Sequence, residues 1–193
     1  MSDAITTVCV FGASSPRIER KHLDCAFRLG QLLAGHGMRC VNGGGRDGVM
    51  RAVSDGCLDS GGQAVGVIPQ FMVDNGWHYP RLTAIEVTPD MHARKSMMAR
   101  MSQAAVALPG GCGTIEELME IITWRQLGLY TGAVVILNAY GYYDPLLQML
   151  ARCVDHGFMR PSHAGLWRTA STPDEAVGLL LQGAGPAEVE PKY

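Results

Sequence analysis

The chain has 193 residues, 47% of them hydrophobic and 18% charged, with a formal net charge of −2 at neutral pH. That length and apolar fraction suit one compact domain with a sizeable core and exclude a disordered chain. The near-balanced charge argues against a nucleic-acid partner, so any phosphate must be held locally.

In chain order, the N-terminal "MSDAITTVCVFG" lacks the basic start and long apolar stretch of a signal peptide, and no later run approaches the ~18 apolar residues that a membrane span needs. The six cysteines, at 9, 25, 40, 57, 112 and 153, form no C-x-x-C pair and lie mostly in apolar surroundings, which disfavours zinc and disulfides. The expectation is a cytoplasmic protein with no membrane partner. Short β-rich runs follow one another at "TTVCVFG", "MRCVNGG", "QAVGVIP", "AIEVT", "AAVALPG" and "AVVILN", with helix-like segments between several of them. This alternation predicts an α/β fold, a doubly wound and mostly parallel sheet with helices on both faces, and the near-continuous apolar runs fit strands buried on both sides. A C-terminal helix is expected over "STPDEAVGLLLQ", with Ser171 or Thr172 as its N-cap and Pro173 in its first turn. With no repeat and no linker, residues 1–183 read as a single domain and 184–193 as a loose tail.

In such sheets ligands bind at the carboxyl ends of strands, and three glycine-rich turns stand there: "FGASS", "NGGGRDGVM" and "LPGGCGT". The dinucleotide spacing G-x-G-x-x-G is absent after the first strand, and nothing matches the ATP-type loop G-x-x-x-x-G-K-[ST]. Three turns converging on one rim would instead surround a mononucleotide. The third runs into "LPGGCGTIEELME", which has two readings. Glycines without a Cβ let a backbone approach phosphate closely at a helix N-terminus; equally, Thr114 and Glu117 match the S/T-x-x-E capping box, a purely structural device.

Between the fourth and fifth strands, "DMHARKSMMARMSQAAVALPGGCGTIEELMEIITWRQLG" carries M-H-x-R-K-x-x-M, as Met91, His92, Arg94, Lys95 and Met98, followed by P-G-G-x-G-T-x-x-E, from Pro109 to Glu117. This pattern resembles the Lonely Guy family, the cytokinin-activating phosphoribohydrolases often labelled lysine decarboxylases. The likeness continues in "GASS", "GGGRDGVM", "GVIP", "TWRQLG", "ILNAYGYYDPLL" and "DHGF" and covers most of residues 8 to 160. It implies a Rossmann-like fold, a homodimer, and hydrolysis of a nucleoside 5′-monophosphate, AMP or a cytokinin riboside 5′-monophosphate, to free base and ribose 5-phosphate, with no cofactor and no metal. The lysine decarboxylase label fits poorly, since only Lys21, Lys95 and Lys192 exist to form a Schiff base. A reading of another class is a non-catalytic carrier of a nucleotide or of molybdenum cofactor, which would need no carboxylate beside C1′.

The resemblance implies that Arg94 and Glu117 are catalytic and that Glu116 contacts substrate. Glu117 would support the oxocarbenium-like charge on the sugar or hold the attacking water. Arg94, always charged, would fix the substrate and support developing charge. Backbone N–H groups of Gly110, Gly111, Cys112 and Gly113, with the Thr114 hydroxyl, are the expected phosphate donors, and Lys95 is placed with them. Gly43, Gly44 and Gly45 form an expected second wall, before a helix starting near Asp47, and Ser14 and Ser15 a third. For each, turn geometry alone is the plain alternative. His92 has the pKa range to protonate a leaving base but equally to cap or pack, and Met97, Met98 and Met101 are expected in the core. Asn42 and Gln103 depart from the family pattern and are candidates to alter the pocket wall.

Overall fold

The computed structural model describes residues 5–184. Seven strands alternate with seven α-helices: β1 Thr7–Phe11, α1 Arg20–Gly35, β2 Arg39–Asn42, α2 Gly48–Asp59, β3 Ala64–Pro69, α3 Gln70–Asp74, β4 Ala84–Thr88, α4 Met91–Arg100, β5 Ala104–Ala107, α5 Cys112–Gln126, β6 Ala133–Leu137, α6 Asp144–Asp155, β7 Arg168–Ala170 and α7 Pro173–Leu181. All strand pairs are parallel, in the order β4-β3-β2-β1-β5-β6-β7. The α/β expectation holds with one addition. The three-residue β7 was not foreseen, because "RTA" buries only Ala170 and shows no apolar run.

Period-two alternation divides the core. Val8 and Val10 of β1 face one layer with Leu29 and Leu33 of α1, Val49 and Val53 of α2, and Val177 and Leu180 of α7. Cys9 and Phe11 face the other, with Met98 of α4, Leu118 and Ile121 of α5, and Leu150 of α6. Each such fully buried side chain contributes about 1.5–3 kcal/mol of transfer free energy. Met97 and Met101 pack against the second layer, as expected. On the first, α1 and α2 approach so closely that a Cβ at Gly30 would stand 2.1 Å from the Val53 carbonyl and one at Gly56 2.0 Å from that of Phe27. Thr172 caps α7 by accepting from the Glu175 N–H at 3.2 Å. From Gly185 onward the expected tail lies outside the described residues.

The strand order places the site. The chain winds outward from β1 to β4, then returns to lay β5 beside β1, so the switch point of the sheet lies between the carboxyl ends of β1 and β5. Gly12 follows one and Leu108–Pro109–Gly110 the other, with the triple glycine after β2 next along the rim.

Candidate active site

Helix α5 begins at Cys112 with Gly111 as N-cap, and no side chain caps it. Thr114 is therefore the third helical residue rather than the cap, and the capping box expected as an alternative is not formed. The first helical N–H with a backbone acceptor is that of Ile115, which donates to the Gly111 carbonyl at 3.0 Å. Among the described residues, the N–H groups of Cys112, Gly113 and Thr114 have no protein acceptor. A Cβ added at Gly111 or Gly113 would meet no atom within 4 Å, so the turn is open beside these donors. The Thr114 side chain tucks beneath Gly110, where a Cβ would come within 2.2 Å of its Oγ1.

One turn into α5, Glu117 turns inward and accepts from Nη1 of Arg94 at 3.1 Å. The two side chains are only 6% and 5% exposed. Asp90 caps α4 by accepting from the Ala93 N–H at 2.8 Å, which fixes the first turn carrying Arg94. Arg94 also donates through Nε to the Val67 carbonyl of β3 at 3.0 Å. Its Nη2 lies against Gly43, where a Cβ would come within 1.7 Å. Burial pushes the Glu117 carboxyl up from its ordinary range, against the downward pull of Arg94. Such a pair adds little net stability, because desolvation offsets its attraction, yet losing one partner costs about 3–5 kcal/mol. Buried, perturbed and at the rim of a cleft, it has the character of a reactive site.

Two adjoining hollows make the cleft and share Ser14, Met50, Met72 and Arg94. One, of about 330 Å³, is walled by Gly12, Ser15, Met91, Gly111, Gly113, Thr114, Glu116 and Glu117. The other, of about 260 Å³, is walled by Gly43, Gly45, Asp47, Ile68 and Trp77. Roomier hollows lie between α1 and α2 and beside Tyr130 at the opposite rim, but neither faces the Arg94–Glu117 pair.

The remaining candidates divide. Lys95 does not line the cleft; its Nζ pairs with Glu116 and, at 3.2 Å, with Glu120, tying α4 to α5. Glu116 lines the cleft while holding that lysine. Gly44, at φ +72°, sits behind the wall, its N–H donating to the Asn42 carboxamide at 2.9 Å. Gly110 and Cys112 do not line either hollow, although Cys112 is exposed beside them. His92 is exposed and lines neither. Asn42 is wholly buried; its carboxamide oxygen braces the triple glycine from behind by accepting from the Gly44 N–H, and its amide donates to Ser54 of α2 at 2.8 Å. Gln103 serves the far rim, where its side chain accepts from the Thr7 N–H at 2.9 Å. Neither departure reaches the pocket wall.

Sequence reasoning gave no role to Met50 and Met72, which join the two hollows, nor to Tyr142 and Tyr143, whose hydroxyls donate to the Gly110 and Leu108 carbonyls at 2.8 and 2.7 Å. The doublet in "GYYDPLL" was the only visible signal. Among the described residues no group of three His, Cys, Asp or Glu is placed to hold a metal, and no helix is long and apolar enough to cross a membrane.

A family model described as "possible lysine decarboxylase" matches residues 50–180. A probable cytokinin riboside 5′-monophosphate phosphoribohydrolase of Oryza sativa subsp. japonica is 41% identical over 173 residues, 90% of this chain and 71% of the relative. A cytokinin riboside 5′-monophosphate phosphoribohydrolase of Arabidopsis thaliana is 38% identical over 177 residues, 92% of this chain and 82% of the relative. Among solved structures, the molybdenum cofactor carrier protein of Chlamydomonas reinhardtii matches with a TM-score of 0.71 at 24% identity, over 91% of this chain and 96% of that one. The molybdenum cofactor binding protein of Rippkaea orientalis matches with a TM-score of 0.72 at 22% identity, over 92% and 96%. The two structures share the fold, whereas identity near 40% over nine-tenths of the chain is closer kinship: this chain belongs to the Lonely Guy family, that of the cytokinin riboside 5′-monophosphate phosphoribohydrolases.

Proposed function

We propose that this chain hydrolyses the N-glycosidic bond of nucleoside 5′-monophosphates, releasing the free base and ribose 5-phosphate. The observation that carries the reading is the buried Arg94–Glu117 pair, set in one cleft with the uncapped N-terminus of α5. The free N–H groups there receive the phosphate, aided by the helix dipole. The ribose then extends toward Glu117. As the C1′–N bond lengthens, positive charge grows on the sugar, and the carboxylate stabilises it. Water bonds to C1′ and its proton passes to Glu117, while the base leaves with the electron pair of the broken bond and takes up a proton from solvent; Glu117 returns its own proton to solvent, which closes the cycle. A carboxyl raised by burial is a better proton acceptor than an exposed one. Arg94, fixed by Val67 and Gly43, holds that carboxylate in place.

The names of the relatives support a cytokinin riboside 5′-monophosphate as substrate, with AMP as the simplest member of the class. We place the protein in the cytoplasm, consistent with six unpaired cysteines, as a homodimer and as one nucleotide-binding domain over residues 1–183; the dimer rests on the family resemblance. Pyridoxal phosphate, which the family model's description would imply, does not fit the described lysines. Burial pulls the Lys95 pKa down, but Glu116 and Glu120 outweigh it and hold the net shift upward, the reverse of what a Schiff-base amine needs. Lys21 is half exposed in a pair with Glu19. A cofactor carrier, the reading favoured by the fold neighbours, has no use for a carboxylate buried beside an arginine.

Incubation with AMP and with its N6-isopentenyl analogue, followed by chromatography, tests this. Free base is expected from the wild type, while Glu117→Gln retains nucleotide binding without release. Binding with no base released from either nucleotide by the wild type would establish a carrier instead.

A further inference from the structure

We propose that Tyr142 is a positioning residue that sets the orientation of the Gly110–Gly111 peptide and so recruits a further donor to the phosphate site; this rests on the reading of the α5 N-terminus as that site. The Tyr142 hydroxyl donates to the Gly110 carbonyl at 2.8 Å. In a trans peptide the carbonyl and the following N–H point in opposite directions, and the described chain has no cis bond. With its carbonyl held toward Tyr142, this peptide turns the Gly111 N–H the other way, toward the cleft that Gly111 lines. It there joins the N–H groups of Cys112, Gly113 and Thr114.

The restraint matters because both residues of this peptide are glycine, for which rotation of the plane meets little steric resistance. A flipped plane would aim a carbonyl oxygen at a phosphate dianion. The Leu108–Pro109 plane, two before it, is held in the same way, since the buried Tyr143 hydroxyl donates to the Leu108 carbonyl at 2.7 Å, and Pro109 has no N–H to turn inward. The clamp is itself rigid. Asn138 accepts from the Tyr143 N–H at 2.6 Å. Tyr142 packs edge-on against Tyr143 at 5.1 Å and His22 at 5.8 Å.

The test is competitive inhibition by inorganic phosphate, with hydrolysis of AMP, in the wild type, Tyr142→Phe and Tyr140→Phe. Tyr142→Phe keeps the ring and its packing and is expected to melt within about 2 °C of the wild type, since Tyr142 is half exposed. Its inhibition constant for phosphate and its KM for AMP are expected to rise roughly 5- to 10-fold, the scale of one hydrogen-bonded restraint, with kcat changing less. Tyr140→Phe loses a hydroxyl that reaches the Lys21 carbonyl rather than the loop and is expected to match the wild type. An unchanged phosphate constant in Tyr142→Phe, beside clear inhibition of the wild type, overturns the positioning role and leaves the site reading intact. An equal rise in Tyr140→Phe overturns it as well. If phosphate does not inhibit the wild type, the site reading fails and the role of Tyr142 fails with it.

Discussion

Two helices of this protein start from glycine-rich turns on the same rim of the sheet, and their first turns are used in opposite ways. At α2, after "NGGGRDG", the N–H groups of Val49 and Met50 both donate to the Ala13 carbonyl, at 2.9 and 3.4 Å. At α5, after "LPGGCG", the first three N–H groups have no protein acceptor among the described residues. The glycines differ in the same sense. A Cβ at Gly48 would stand 2.5 Å from the Ala13 carbonyl, and one at Gly43 would collide with Arg94, whereas Cβ atoms at Gly111 and Gly113 would enter open space. Glycine at α2 makes room for protein, whereas Gly111 and Gly113 at α5 leave open the space in which the proposed function puts the phosphate. A glycine-rich turn is thus a binding site only where its donors are left over once the fold has taken what it needs.

Substitutions sharpen this contrast, from the largest effect down. Glu117→Gln keeps the shape and the acceptor for Arg94 but removes the charge, and kcat is expected to fall roughly 10²-fold or more with nucleotide binding retained. The same variant carries a pH signature. A carboxyl raised by burial contributes stability that is present below its unfolded value, near 4.5, and is lost as pH rises through the folded value. Thermal melts should therefore show Glu117→Gln gaining on the wild type as pH rises through that window. Gly43→Ala, which forces the Arg94 guanidinium aside, is expected to lower kcat/KM about 10- to 100-fold and to lower the melting temperature. Near-wild-type activity in this variant would show that Arg94 need not lie where it does.

These residues were unequally visible in the sequence. Six strands were legible because each is a short β-rich run ended by turn residues, although β4 is a largely exposed edge strand carrying Glu86, and the third glycine turn was legible from its composition and the family pattern. The state of its donors was not, because it depends on where the helix begins. With Gly111 as N-cap, Thr114 sits too deep to cap, and Glu117 is engaged by an arginine 23 residues earlier. Lys95 was placed with the phosphate on its neighbourhood in sequence, yet its partners, Glu116 and Glu120, lie 21 and 25 residues away. Asn42 and Gln103 mark departures from the family pattern, but only the fold reveals that one lies behind the wall and the other at the far rim.

The smaller effects set the two turns directly against each other. Gly48→Ala places a side chain at φ +65° and is expected to lower stability by at least about 1–2 kcal/mol, read as a fall in melting temperature, whatever its activity. Gly113→Ala should do the reverse. Alanine within the first turn of α5 is expected to raise stability by up to about 1 kcal/mol, while its methyl group, in the open space where the proposed function puts the phosphate, is expected to raise KM for AMP several-fold. A Gly113→Ala variant that loses stability and keeps its KM would erase the distinction between the turns.

The central claim is that the α5 turn anchors a phosphate and thereby sets C1′ against Glu117. Binding energy from the phosphate then helps position the distant reacting bond. Its most direct test is kcat/KM for AMP against adenosine, and for the isopentenyl nucleotide against its nucleoside, under one set of conditions. The account predicts that each 5′-monophosphate is cleaved at least about 10²-fold more efficiently than its nucleoside. Equal efficiency for nucleotide and nucleoside would contradict it.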